Sequence, residues 1–222
     1  RLVTDKSSGV LAVDDGDVAA AREAAASTHS ATFTTSTALH FTLEPANALV
    51  EFRDGKCHIH SGNQWQSLIL PTLATALQME ESDIVIHQYY LGGGFGRRGS
   101  FHDFARQAVA IAKQLPGTPV KLLWTREEDM QHGHYHPITK AKLTGGLDAN
   151  GELTALQMRI SGQSILASVN PNWMQNGVDM FVFQGLMPDG DHAISYSIPN
   201  LLVDHAMRNP PVPPGFWRGV NV

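Results

Sequence analysis

Hydrophobic and polar positions along the chain alternate with a period of two in several short runs, and between those runs apolar residues recur every three or four positions. Residues 10–13 form a strand-like run. An alanine-rich stretch over 17–26 predicts a short helix with Asp17 as its cap, and 27–37 is a Ser/Thr linker. Ala48, Val50 and Phe52 alternate, Asp54-Gly55 supplies a turn, and 56–60 returns as the second strand of a hairpin. Leu68, Ile69, Leu73, Ala76 and Leu77 predict a helix over 67–77, with Pro71 tolerated only in its first turn. A β-branched and aromatic strand follows over 83–91. The next helix carries Phe101, Phe104, Ala105, Ala108, Ala112 and Leu115 on one face. Its expected N-cap is Ser100, with Asp103 three residues on, and Pro116-Gly117 ends it. After a strand at 120–125, residues 140–147 and 152–161 form a second hairpin through 148–151. Residues 164–197 show no clear period and predict irregular structure or a short helix; 201–206 predicts a strand, and four prolines extend the end of the chain. The fold class is α+β, a mixed sheet with hairpins and one strand, glycine loop, helix, strand unit. Its crossover should be right-handed, with the glycine loop at the strand's C-terminal edge.

Composition narrows the functional classes. The 222 residues are 42% hydrophobic and 17% charged, as in an ordinary globular protein. A net charge of -5 with dispersed Lys and Arg excludes the clustered basic face that nucleic acid requires. No apolar run approaches the roughly 20 residues of a membrane-spanning helix. A single cysteine, Cys57, excludes an internal disulfide and a cysteine-held iron-sulfur cluster.

Three stretches could carry chemistry. In LGGGFGRR, residues 91–98, consecutive glycines leave backbone amides uncovered, and Arg97 and Arg98 follow, an arrangement suited to an anionic cofactor. Gly94, Gly96 and Gly99 also satisfy G-x-G-x-x-G between a strand and a helix, so a nucleotide-binding module is a second reading, although no second mononucleotide half follows. His132, His134 and His136 fall on alternate positions, and His58 with His60 repeats the spacing; on an extended backbone they would share a face, which is the basis for a His-rich metal-binding reading. Arg126, Glu127, Glu128 and Asp129 read as a helix-start charge cluster.

Taken in order, HFTLEP, SGNQWQS, LGGGFGRR, WTREEDM and PPGFWRGVN resemble the molybdenum hydroxylases of the xanthine dehydrogenase and aldehyde oxidase family, and most closely the isoquinoline 1-oxidoreductase beta-subunit branch. The resemblance covers residues 36–222 as a portion of a larger molybdopterin-binding domain, and 1–35 more loosely. It implies that Gly92, Gly93, Gly94, Phe95, Gly96 and Arg97 clamp a molybdopterin, with the Phe95 amide directed at the metal's oxo group. Gln64 assists from SGNQ, with Gln66 two residues on carrying the same side chain. Arg218 and Gly219 would approach the cofactor, and Trp217 and Val220 would wall the substrate pocket; Val220 stands where many relatives carry a second aromatic. The implied cofactor is molybdopterin with molybdenum, in its cytosine dinucleotide form. The implied partners are the remainder of the large subunit, a small subunit bearing iron-sulfur clusters, and a small-molecule substrate, an aldehyde or an N-heterocycle. The family's glutamate motif does not occur in these residues, so no catalytic residue and no metal ligand is expected among them. The chain is expected to be a fragment that is inactive alone.

Overall fold

The period-two runs become strands of two separate sheets, and the runs of period near 3.6 become the helices that cover one of them. The structure is a computed structural model and describes residues 9–99, 102–183, 194 and 196–218. In chain order its elements are β1 (Val10–Asp15), α1 (Val18–Glu23), β2 (Ser27–Thr35), β3 (Asn47–Arg53), β4 (Lys56–Ser61), α2 (Gln66–Leu77) and β5 (Ile84–Gln88). They continue as α3 (Asp103–Ala112), β6 (Val120–Leu123), α4 (Arg126–Gln131), β7 (Thr139–Leu147), β8 (Leu153–Gly162), α5 (Ile165–Val169) and β9 (Leu201–Met207). The chain divides into two units, one of residues 1–38, 136–215 and 219–222, the other of 39–135 and 216–218.

The first unit is a five-stranded sheet in the order β1-β9-β8-β7-β2. The predicted hairpin is β7 with β8, and β9 runs parallel to β8 along its length. Val13, Ile160, Leu201 and Val203 form its buried cluster. Asp17 caps α1 as predicted, its carboxylate accepting from the Ala20 N–H at 2.9 Å.

The second unit holds the glycine loop. Its four-stranded sheet has the order β5-β4-β3-β6, with β3 antiparallel to both β4 and β6, and β4 parallel to β5. Strand periodicity points Val50, Cys57 and Ile59 to one face, where Leu73 of α2 and Phe104 and Ala108 of α3 complete a buried cluster. Each such large side chain contributes about 1.5–3 kcal/mol on burial. Burial also pushes the Cys57 thiol up to about 11, which leaves it unreactive at neutral pH. The strand, glycine loop, helix, strand unit is present, and the loop leaves the C-terminal end of β5. Its two strands are not neighbours, because the β3–β4 hairpin lies between them.

Four expectations are corrected. Residues 27–35 are the edge strand β2, paired residue for residue with β7 from Ser27↔Leu147 to Thr35↔Thr139, since Ser and Thr fit a pleated ladder once a partner strand is present. Pro71 sits inside α2 as its sixth residue, beyond the first turn. The helix expected to start at Ser100 starts at Asp103, with His102 at the cap position in a left-handed conformation, φ 43°. Ser100 and Phe101 lie outside the described residues. Leu115 is exposed past the end of α3.

Candidate functional site

The glycine loop is held by two side chains from other parts of its unit. Glu44 clamps Gly92 from both sides, accepting the Gly92 N–H on Oε2 at 2.8 Å while its own N–H donates to the Gly92 carbonyl at 3.2 Å. Burial pushes the Glu44 carboxyl upward, but the Gly92 N–H, the Asn47 amide and Arg98 outweigh it and leave the group below the usual carboxylate value. Gln64 does the second job. Its Oε1 accepts the Gly96 N–H at 3.0 Å and the Arg98 N–H at 3.3 Å, and its backbone N–H donates to the Arg98 carbonyl at 2.9 Å. Gln66 faces elsewhere and donates to Gln88. With its carbonyl engaged by the loop, Gln64 presents an NH2 donor at an exposed position.

This clamping leaves a donor row. Arg97 N–H and Gly99 N–H close turns onto the Gly94 and Gly96 carbonyls, whereas the successive amides of Gly93, Gly94 and Phe95 have no acceptor among the described residues. Phe95 holds φ at 54°, a left-handed value that is costly for a residue with a side chain. Glycine is required on either side for different reasons. A Cβ on Gly94 would collide with the Gln64 side chain, and at Gly96 it would collide with the Phe216 carbonyl at a φ of 104°. Neither glycine has room for a side chain as the loop stands, and the loop presents amides to an anionic or oxo ligand.

The two arginines face inward. Arg97, 3% exposed, makes a two-pronged pair with Asp103 at 2.8 and 2.9 Å and lies 5.3 Å from the Trp124 ring centre. Arg98, 1% exposed, donates to the Gly62, Glu44 and Pro45 carbonyls and pairs with the Glu44 carboxylate at 3.1 Å. Both guanidinium groups neutralise carboxylates of their own unit, so what the loop offers outward is backbone N–H. Residues 216–218 lie against the loop. The Arg218 N–H donates to the Phe95 carbonyl at 2.7 Å, and the His40 Nε2–H donates to the Phe216 carbonyl at 2.6 Å. The half-buried Trp217 ring packs on His40 with centres 4.5 Å apart. The structure thus brings Gln64, Gly92, Gly93, Gly94, Phe95, Gly96, Trp217 and Arg218 together, while Gly219 and Val220 lie outside the described residues.

The family model of the molybdopterin cofactor-binding domain matches residues 3–181. The chain belongs to this family. It is 38% identical over 193 residues to a membrane-bound aldehyde dehydrogenase [pyrroloquinoline-quinone] of Gluconacetobacter polyoxogenes, covering 86% of the chain and 25% of that protein. It is 25% identical over 187 residues to the isoquinoline 1-oxidoreductase subunit beta of Brevundimonas diminuta, covering 81% of the chain and 22% of the relative. Among solved structures, the aldehyde oxidoreductase of Desulfovibrio gigas shares the fold with a TM-score of 0.73 at 22% identity, over 94% of this chain and 22% of that one. The chain spans about a quarter of the length of the curated relatives it matches.

For a molybdopterin cofactor-binding domain, the nucleotide and histidine readings fit poorly. A dinucleotide fingerprint seats its pyrophosphate on the helix N-terminus, but α3 starts with Asp103, whose Oδ1 already accepts the Phe104 N–H at 3.1 Å and pairs with Arg97. Residues 132–136 do not form the extended run that would align three imidazoles. His132 ends α4 and lies 3.2 Å from Glu128, while His134 is half-buried, and burial and then the Arg97 charge push its pKa down to about 4. No group of three or more His, Cys, Asp or Glu able to hold a metal exists among the described residues. Nor is any helix there long and apolar enough to cross a membrane. Sequence reasoning gave no role to His40 and Glu44. Both lie in HFTLEP, but their partners, Phe216 for His40 and Gly92 for Glu44, are distant in sequence, so no local signal singles them out.

Proposed function

We propose that this chain forms one wall of the cofactor and substrate cavity of a molybdenum-dependent oxidoreductase that hydroxylates or oxidises aldehydes or N-heterocycles with water as the oxygen source. The observation that carries the reading is the row of unclaimed amides at Gly93, Gly94 and Phe95 beside the Gln64 NH2 group. That donor set matches the oxygen-rich, anionic character of a molybdopterin. When bound, that cofactor and its molybdenum supply the two-electron redox chemistry.

The chain's own residues bind and orient. Gly93, Gly94 and Phe95 supply backbone donors, the Gly92 and Gly96 N–H groups anchor the loop on Glu44 and Gln64, and Gln64 adds its own NH2. Arg97 acts from behind, through its pair with Asp103, to hold the loop's exit. Arg218 and Gly219 belong to the segment that closes the cofactor side, and Trp217 and Val220 shape the substrate side. We place the cofactor's pterin in its cytosine dinucleotide form, the acid-base residue in the remainder of the large subunit, and the iron-sulfur clusters on a small partner subunit. The aldehyde and isoquinoline names of the relatives support both substrate classes.

The test is cofactor analysis of the complete subunit expressed in a host that makes molybdopterin. About one molybdenum per protein is expected, together with the fluorescent oxidised pterin. Because one relative is named for pyrroloquinoline quinone, the same sample is assayed for that quinone. Quinone without molybdenum would overturn the reading.

A further inference from the structure

We propose that His40 is a positioning residue that fixes the segment Phe216, Trp217 and Arg218 against the glycine loop and thereby sets the face that Trp217 turns to the substrate. The inference rests on the reading of Trp217 as part of the substrate wall. The segment belongs to neither helix nor strand, so its path is set by point contacts. Three of them converge: the His40 Nε2–H on the Phe216 carbonyl at 2.6 Å, the Arg218 N–H on the Phe95 carbonyl at 2.7 Å, and Gly96, whose missing Cβ makes room for the Phe216 carbonyl. The His40 ring also packs on the indole of Trp217.

The imidazole is itself well placed to act as an anchor. The bridge between Leu39 and Tyr135 holds the chain on one side of it, and on the other Phe41 turns the backbone in a left-handed conformation, its ring 4.9 Å from the Arg126 guanidinium. His40 is 7% exposed. Burial, together with Arg97, keeps its pKa below the ordinary 6.5 against the pull of the Phe216 and His134 carbonyls and the Asp129 carboxylate. At neutral pH the ring is uncharged, with its proton on Nε2, and its hydrogen bond to the Phe216 carbonyl holds a loop-like segment against the cradle. Removing that bond should move the Trp217 wall while leaving the amide row intact.

The experiment uses the complete subunit with His40→Phe, which keeps a ring and loses the donor, and His40→Gln, which returns an N–H near the Nε2 position. Hydrogen exchange at the Arg218 amide should speed up about tenfold in His40→Phe and stay within about threefold of the parent in His40→Gln. Molybdenum content should remain within about twofold, while the kcat/KM ratio between a bicyclic heterocycle and a short aldehyde shifts about tenfold in the Phe variant and recovers in the Gln variant. Unchanged Arg218 exchange in His40→Phe overturns the proposal. If that variant does not accumulate, His40→Asn, whose amide falls short of the carbonyl, is read against His40→Gln in the same way. Faster exchange with an unchanged substrate ratio keeps His40 as the anchor and removes Trp217 from the substrate wall, so the two failures are distinguishable.

Discussion

Arg97 shows how little a charged residue's position in a motif says about where its charge acts. Two arginines following a glycine run read as donors for an anionic ligand, yet Arg97 spends its guanidinium on Asp103 and packs beside Trp124. Removing one member of such a pair strands the other. Arg97→Ala should therefore destabilise the protein by about 3 kcal/mol, the lower end for a buried pair because Asp103 keeps some solvent contact. Asp103→Asn should cost a similar amount, and the double variant clearly less than the sum, a coupling that urea melts in a double-mutant cycle measure. Were Arg97 instead a direct contact of the cofactor, Arg97→Ala would lose molybdenum at unchanged stability, and Asp103→Asn would be nearly silent. Gln64 is the opposite case: exposed, and acting on the loop through geometry, because one oxygen accepts from two amides.

Among the elements, α2 carries a proline in its second turn, where it removes a backbone donor and crowds the preceding turn. Pro71 is exposed, so no core packing depends on it. Pro71→Ala should therefore raise stability by about 1–2 kcal/mol, the helix gain being reduced by the extra freedom of the unfolded chain. An unchanged or lower urea midpoint would mean that neighbouring structure relies on the bend. Most elements were legible because their period is: the β3–β4 hairpin from Asp54-Gly55, the β7–β8 hairpin, and the buried face of α3 through Phe104, Ala105, Ala108 and Ala112. What escaped was set by partners distant in sequence. The Ser27–Thr35 run has no apolar period and becomes a strand only through β7, and the start of α3 follows the Arg97–Asp103 pair. Within the site, the glycine run was visible as a cradle. The parts played by His40 and Glu44 were not, since they depend on how residues 39–44 are brought up to the loop.

For the molecule as a whole, one unit concentrates the site. The glycine loop, Gln64 and residues 216–218 all fall in the unit of residues 39–135 and 216–218, although the last of them is reached only after the chain has built the other unit's sheet. A chain spanning about a quarter of its relatives supplies a cradle, and we assign the remaining walls to the rest of the large subunit. The claim to be tested is that the amides of Gly93, Gly94 and Phe95 hold the cofactor. The most direct measurement is the molybdenum-to-protein ratio of the complete subunit carrying Gly94→Val, with circular dichroism and melting run on the same sample. A valine Cβ would displace Gln64 from the loop and cover the donor row. The account predicts at least a roughly tenfold fall in bound molybdenum with the helices of the 39–135 unit intact, the loss expected when a preorganised set of donors is disrupted. Full molybdenum loading in a folded Gly94→Val protein would contradict it, and would reduce the glycine run to a turn between β5 and α3.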